Sequence, residues 1–499
     1  MTAPGASADW RIVPSLGITE TWTDNVELLP PGQERSELIT EIVPALSLSV
    51  NSRRLKANAS GAWRQYLYND SDTLRQPNNN TRQYAANLEG ILAEDLMFID
   101  ASASSSQQSL SAFGPRAVDS PFSSLNRTQI KTWSVSPYLV HNFGRTASAL
   151  LRYTRDSVES DANDLFGNST SDTLSLNLNS RNEARALGWN LSYLRQEQDN
   201  KLAGQSSVEN LNGKLRYRLN SSFALTASAG YDRYDYDAIG DKTAGASWST
   251  GFAWAPSQRT SIEASIGRHF YGSTGSLAAS VRSRRTVWSI NYGDTITNSR
   301  SQFTLPSAID TVSMLDRLFS ATISDPVQRQ LAVAAYIQSA GLPPSLTNNV
   351  NYLSNRYVRQ KLLQATAAFR WSRTNAILNL FGSERTALSS RENDSALLGN
   401  QLSSLNDDVR QYGANATWSY SLGPRSSLVA NATYSHSESL TTGIVDNQRL
   451  LRIGINRKIG RYLAGSLDLR RRNGTSYFAT TAPGDYTENA IAATLSMTL

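Results

Sequence analysis

The chain has 499 residues, a formal net charge of +6 and no cysteine. The absence of cysteine excludes a disulfide framework, a thiol nucleophile and a cysteine metal site. The mean hydropathy is -0.39, and every apolar run is far shorter than the roughly 20 residues of a membrane-spanning helix, which excludes a helical membrane protein. No linker-like change in composition divides the chain, so one domain is expected.

Runs of alternating polarity begin at Trp10 and follow one another to Leu499. Residues 1–9 lack the basic start and apolar centre of a signal peptide, and we interpret them as a short periplasmic segment at the mature N-terminus. Period-2 alternation is typical of strands with one apolar and one polar face. An early run pairs Leu55, Ala57, Ala59, Gly61 and Trp63 on one face with Lys56, Asn58, Ser60 and Arg64 on the other.

The apolar face is built largely of Ala, Gly and Leu, with aromatic residues near the ends of the runs. A soluble β-sandwich would need larger side chains on this face to fill its core. Aromatic residues at both ends are typical of girdles at two membrane interfaces. We therefore predict that this face contacts lipid, with a large soluble or solenoid all-β protein as the alternative. The aromatic residues in question are Trp63, Trp189, Tyr193, Phe223, Tyr231, Phe369, Trp371, Tyr434 and Tyr462.

Short turns and long polar loops alternate along the chain, as in barrels with short periplasmic turns and long extracellular loops. The runs number about 22, within a range of roughly 16 to 24. The last run ends at Leu499 with nothing after it to cover a strand edge, which indicates that it closes a barrel. The sequence thus predicts an all-β fold, a closed antiparallel transmembrane β-barrel of the bacterial outer membrane. Residues 10–300 would form the first part of the barrel and residues 352–499 the remainder.

Residues 301–351 break the alternation and are predicted to form a helical loop insertion on the extracellular side. Asp325 and Pro326 suit an N-cap and a first helical position, and Gly341 followed by Pro343 suits a helix stop. A second short helix is predicted over residues 310–319. Two interpretations remain open, a constriction of the lumen and a surface cap.

Residues that could support catalysis are scarce. His141, His269 and His436 lie on widely separated runs, and no zinc, nucleophile-elbow or phosphate-loop motif is present. We therefore predict no enzymatic activity, no metal and no cofactor. An outer-membrane enzyme that uses His436 at the rim is the least favoured alternative.

Basic residues are abundant on the predicted lumen face. An excess of positive charge in a wide pore favours anionic solutes or an acidic polymer. The alternatives are ion pairing across the wall and contacts with lipopolysaccharide phosphates. Nucleic acid is not expected as a partner, because the basic residues are spread over many strands without an aromatic stacking platform. The predicted solute path is lined by Lys56, Arg64, Arg152, Lys214, Arg216, Arg218, Arg370, Arg385, Arg452, Arg470 and Arg472.

Three stretches resemble the PEP-CTERM system-associated outer-membrane β-barrel proteins, which are grouped with the β-barrel porins of Gram-negative exopolysaccharide loci. They are residues 10–26 (WRIVPSLGITETWTDNV), residues 87–108 around AEDLMFIDA, and residues 341–356, which contain GLPPSLT and NYLSNR. The resemblance covers nearly the whole chain. It implies an outer-membrane location and a role near exopolysaccharide production. The implied partners are lipid, lipopolysaccharide, an exopolysaccharide and periplasmic polysaccharide-export proteins. The sequence departs from the usual pattern of outer-membrane barrels at its last residue, which is Leu499 and not an aromatic residue.

Together these features favour a porin-like conduit for an exopolysaccharide or other solutes. A structural scaffold with a closed lumen, anchoring periplasmic partners of the polysaccharide machinery, is the second hypothesis. An active transporter of the TonB type is disfavoured, because it needs a folded plug before the barrel and here the strand pattern begins at Trp10.

Overall fold

The computed structural model describes residues 9–70, 78–116, 121–122, 126–161, 168–181, 186–240, 242–304, 354–389, 408–476 and 484–499. These residues form one antiparallel sheet of 22 strands. The sheet closes because β1 (Asp9–Thr23) pairs both with β2 (Glu37–Asn51) and with β22 (Gly484–Thr498). The predicted closed barrel is therefore confirmed.

The strands between β2 and β22 follow one another in chain order around the wall. They are β3 (Leu55–Tyr68), β4 (Asn80–Ala93), β5 (Met97–Ser109), β6 (Arg127–Phe143), β7 (Ala147–Ser160), β8 (Ser169–Ser180), β9 (Leu187–Asn200), β10 (Gly204–Arg218), β11 (Phe223–Asp235), β12 (Ala244–Ser257), β13 (Thr260–His269), β14 (Gly272–Arg282), β15 (Thr286–Thr297), β16 (Val358–Arg370), β17 (Thr374–Ala387), β18 (Val409–Gly423), β19 (Ser426–Ser439), β20 (Val445–Lys458) and β21 (Leu463–Ser476).

Most outer positions in the middle of the strands are apolar and exposed, and most inner positions are small or polar, with apolar exceptions such as Ile377 and Phe381. On β1, the exposed Leu16 and Ile18 lie opposite the exposed Met497 and Leu495 of β22. The register carries this polarity from strand to strand around the wall, because residues that face each other across a ladder point to the same side. So much exposed apolar surface is stable only against lipid.

Exposed aromatic side chains lie toward both ends of the strands on the outer face. Their amphipathic rings suit the two membrane interfaces, as the sequence predicted. Examples near the periplasmic ends are Trp10, Trp189, Trp288 and Tyr462, and examples near the extracellular ends are Trp22, Tyr84, Tyr231 and Tyr412.

The periplasmic turns are short, as at residues 52–54, 94–96 and 144–146, whereas residues 24–36 form a longer extracellular connection. Asp95 and Gly144 adopt left-handed backbone conformations in two of the short turns, with φ of 59° and 58°. Asp and Gly tolerate this region better than most residues, which lets the chain reverse tightly.

Helix α1 (Ser299–Thr304) begins the connection between β15 and β16. Asn298 caps it, since its Oδ1 accepts a hydrogen bond from the backbone N of Ser301 at 2.8 Å. Residues 301–304 of the predicted insertion thus belong to a helix. The helices predicted over residues 310–319 and 325–341 lie outside the described part of the chain, as do residues 1–8 of the predicted periplasmic segment. No helix among the described residues is long and apolar enough to span a membrane.

Two adjacent alanines on β4 offer a direct test of the two faces. Ala85 pairs with Ser60 and Ser104 on the inner face, and Ala86 pairs with Ala59 and Ala103 on the outer face.

We expect Ala86→Arg to lower the free energy of unfolding by about 2–4 kcal/mol, because it places a charge in the hydrocarbon. Ala85→Arg should change it by less than about 1 kcal/mol, since its side chain extends into water. Denaturant unfolding of the vesicle-reconstituted barrel, followed by tryptophan fluorescence, measures both. Equal losses would contradict the assigned register.

Candidate functional site

The basic residues of the predicted solute path all lie on strands whose register places them on the inner face. On β20, for example, Arg452 points inward between the outward, exposed Leu451 and Ile453. The inner-face set comprises Lys56, Arg64, Arg152, Lys214, Arg216, Arg218, Arg370, Arg385, Arg452, Arg470 and Arg472. Several of them form ion pairs or hydrogen bonds on the inner wall, and others have no ion pair among the described contacts.

A buried charged cluster joins β21, β22 and β1. Glu488 is bound by Arg470 at 2.6 Å and lies 3.6 Å from Arg472, while the hydroxyl of Thr23 donates to its Oε1 at 2.9 Å. The side chains of Glu488 and Arg472 are only 2% and 4% exposed. One carboxylate thus compensates two guanidinium groups in a site that water barely reaches, so its removal would leave buried charge uncompensated.

Other inner-face arginines also have partners, so for them the alternative of ion pairing within the wall holds. Arg64 is 2.7 Å from Glu41, and Arg152 is 2.7 Å from Asp100 while stacking over the ring of Tyr138 at 4.1 Å. Two further contacts are Arg452 with Asp468 at 3.1 Å and Arg385 with Gln302 at 2.9 Å. These charges are neutralised or anchored locally.

The inner face near the end of β10 is different, because three exposed basic residues follow one another there. Lys214, Arg216 and Arg218 alternate with the outward Leu215 and Tyr217. Their neighbours in register are Asn190 and Ser228 for Lys214, Gly188 and Thr226 for Arg216, and Ala224 for Arg218. Because the neighbours of Lys214 and Arg216 are uncharged, these two residues give the periplasmic part of the lumen a positive surface.

The remaining two members of the set also lie toward the periplasmic end. Lys56 faces Asn51 and Glu89, and Arg370 faces Asn375. The structure therefore does not gather the predicted residues into one cluster. It distributes them over the wall, and their role in a solute path stays a prediction.

Helix α1 crosses part of the lumen. Arg300 forms an ion pair with Asp156 on β7, and its Nε donates to Ser169 Oγ on β8 at 2.8 Å. Phe303 packs against the buried Ile130 and Val158 of the same wall. Strands β8 to β14 separate β7 from β15 around the ring, so this contact spans the lumen.

The ion pair of Arg300 and Asp156 is buried, with side chains 3% and 5% exposed. Burial lowers the pKa of the Arg300 guanidinium, and the carboxylate of Asp156 opposes that shift. Such a pair holds the segment in one position, because separating it would leave two charges without partners in a site of low dielectric.

The β5–β6 connection reaches into the lumen from another side. The backbone N of Gly114 donates to Asp446 Oδ2 on β20 at 2.8 Å, and the fully buried Phe113 packs on Val409 of β18. Farther along, Phe122 contacts Tyr66 of β3 in an edge-to-face arrangement at 5.6 Å. Two described loop segments thus narrow the extracellular half of the lumen.

The sequence left open whether residues 301–351 form a constriction or a surface cap, and it did not indicate that residues 110–116 and 121–122 contact the lumen wall. A signal was available in the polar stretch around Phe113 and Phe122, because large apolar residues in a loop usually have a surface to cover. Nothing local showed which strands they contact. No group of three or more His, Cys, Asp or Glu side chains suited to a metal occurs in the described part of the chain.

No family model matches the sequence, and no curated protein does either. Among solved structures, the chain is similar to the siderophore receptor PirA from Pseudomonas aeruginosa, with 12% identity over 98% of this chain and 80% of that one and a TM-score of 0.44. It is also similar to the FrpB iron transporter from Neisseria meningitidis in its F5-1 apoprotein form, with 11% identity, coverages of 97% and 81% and a TM-score of 0.49. The fold assignment rests on the strand pairing and not on these similarities.

The wall itself defines the class of protein. A closed antiparallel barrel of 22 strands with an apolar outer face and a polar lumen is a transmembrane protein of the bacterial outer membrane.

The buried cluster leads to a stability test. Glu488→Ala should lower the free energy of unfolding by about 3–5 kcal/mol, because Arg470 and Arg472 lose the carboxylate that they share. Asp468→Ala is the matched control: it also removes an inner-face acid, but from the more exposed Arg452, so a loss of about 0–1 kcal/mol is expected. Denaturant unfolding measures the difference. Similar losses in the two variants would show that burial does not govern these pairs.

Proposed function

We propose that this protein is a porin-like conduit that carries anionic solutes across the outer membrane. The observation that supports it best is the row of basic residues on β10, in which Lys214 and Arg216 face the lumen beside uncharged neighbours in register and Arg218 follows on the same face. Charge on the wall of a wide pore sets which ions it favours. The resemblance of residues 10–26, 87–108 and 341–356 to exopolysaccharide-locus barrels extends the proposal to an acidic exopolysaccharide as the transported polymer, with periplasmic polysaccharide-export proteins as partners.

The second candidate is a scaffold barrel with a closed lumen. The two segments that cross the lumen favour it, because the buried pair of Arg300 with Asp156 and the contact of Gly114 with Asp446 both obstruct the extracellular half. Conductance separates the candidates, since a scaffold would pass no current in either the wild type or a variant with the crossing contacts removed.

We further propose that the protein is not an enzyme. His269 Nδ1 lies 2.6 Å from Asp232 Oδ2 on the inner face, which is half of a hydrolytic arrangement. The hydroxyl of Ser247, on the strand between them, is buried and makes no hydrogen bond to this pair. His436 points outward and bonds to Asn447 at 2.9 Å. A buried hydroxyl without a base partner is not an activated nucleophile.

The selectivity of the pore tests the conduit. In a salt gradient across a planar bilayer, the reversal potential of the wild type should have the sign that indicates preference for anions. The variant Lys214→Gln, Arg216→Gln and Arg218→Gln should shift it toward zero or cation preference, because three positive charges leave the lumen wall.

A matched control removes three arginines from the outer face, as Arg449→Gln, Arg457→Gln and Arg471→Gln. This variant loses the same charge, and its reversal potential should stay that of the wild type. A wild type that prefers cations, or an equal shift in both variants, would reject the proposed role of the β10 row.

The crossing contact of α1 has its own test. Arg300→Gln combined with Asp156→Asn removes both charges of the pair and should raise the single-channel conductance or the fraction of time spent open. Arg155→Gln with Asp172→Asn is the control. Arg155 is next to Asp156 on β7 and lies 3.5 Å from Asp172 on β8, but this pair is on the outer face and does not cross the lumen. Heat-dependent gel mobility establishes that each variant is folded. Unchanged conductance in the first variant would mean that α1 does not limit passage.

A further inference from the structure

The outer face of β19 to β21 carries a polar cluster at the extracellular border of its apolar band. The ring of Tyr434 lies under the guanidinium of Arg449 at 5.9 Å. The hydroxyl of Tyr434 and the Nδ1 of His436 both contact Asn447 Oδ1, at 3.1 and 2.9 Å. Because the Asn447 oxygen accepts both bonds, the side chains of Tyr434 and His436 are held in place beside Arg449.

A second arginine stands beside Arg449. Arg449 is opposite Asn473 and Arg471 is opposite Leu451, so the two arginines are diagonal neighbours on adjoining strands. Diagonal neighbours have Cβ atoms roughly 7–8 Å apart, a distance that lets two guanidinium groups converge on one anion. Both residues are exposed.

The acids around this pair have partners of their own. Glu438 lies 3.5 Å from Arg410, and Asp24 is bonded to the side chain of Asn489 at 2.8 Å. The side chains directly across from Arg471 are Leu451 and Asn489, and those across from Arg449 are Tyr434 and Asn473. In the described ladders, therefore, no acid lies directly across from Arg449 or Arg471 on the outer face.

Directly below the two arginines the wall is apolar. Leu451, Ile453 and Ile455 continue β20, and Leu467 and Leu469 precede Arg471 on β21, all of them exposed on the outer face. A ligand that fits this surface carries its negative charge at the interface and hydrocarbon chains below it. A soluble phosphate would contact only the two arginines and would leave the apolar surface below them uncovered.

We propose that Arg449 and Arg471 bind a phosphate of the lipid A part of lipopolysaccharide in the outer leaflet. Guanidinium groups bind phosphate oxygens in a bidentate manner, and the ring of Tyr434 holds Arg449 at the interface. The acyl chains lie on the band formed by Leu451, Ile453 and Leu469. This site is on the outer wall and is independent of what passes through the lumen.

Native mass spectrometry of the detergent-purified barrel tests the site, with purified bisphosphorylated lipid A as the probe. The variant Arg449→Gln with Arg471→Gln should bind lipid A roughly tenfold more weakly than the wild type, the change expected when about 1.4 kcal/mol of binding energy is lost. Arg457→Gln, on the outer face of β20 at its periplasmic end, should bind like the wild type.

Two further probes identify the recognised group. Lipid A with its phosphates removed should bind the wild type as weakly as the double variant binds the intact lipid. Inorganic phosphate at millimolar concentration should not displace lipid A, whereas displacement would show a free-anion site instead. Equal affinity of the double variant and the wild type, with heat-dependent gel mobility establishing that both are folded, would overturn the proposal.

Discussion

The rest of the structure depends on the requirement that every backbone N–H and C=O group in lipid find its partner inside the protein. A sheet can meet this requirement only by closing, because an open edge would leave a row of unpaired groups in hydrocarbon. Here the closure is the ladder from Ser15 opposite Thr498 to Thr23 opposite Ala490, and Leu499 extends it by donating to the carbonyl of Pro14 at 3.0 Å. The first and last strands of the sheet are thereby joined, which leaves no open edge between them.

Closure separates the side chains into two sets with different constraints. Outer positions must be apolar through the membrane or polar at its borders, whereas inner positions are free to carry charge. Leu215 and Tyr217 contact lipid on the same strand on which Lys214, Arg216 and Arg218 line the lumen. A shift of one residue would exchange the two sets, so the alternation fixes the register as well as the fold.

The wall could be predicted from sequence because its pattern is local. Alternation at Leu211, Gly213 and Leu215 needs only neighbouring residues, and most short turns follow from Gly, Asn and Asp at strand ends. The contacts across the lumen could not be predicted from the sequence. Arg300 and Asp156, for example, are separated by 144 residues and meet only once the barrel has closed. The same holds for Thr23 and Glu488, which are 465 residues apart and meet where β1 pairs with β22. The sequence identifies inner charges but not which of them are neutralised.

The wall therefore fixes the width of the lumen, and the segments that cross it determine whether a solute can pass. A closed ladder does not open without breaking many hydrogen bonds together, so a change in the lumen has to come from segments that cross it. If the buried pair of Arg300 and Asp156 holds its segment by about 3–5 kcal/mol, the segment is released in roughly one molecule in 10² to 10⁴. Under the proposed conduit function, an anionic solute that competes with Asp156 for Arg300 would shift this equilibrium. The charge that attracts the solute would then also favour its passage, which a scaffold barrel would not require.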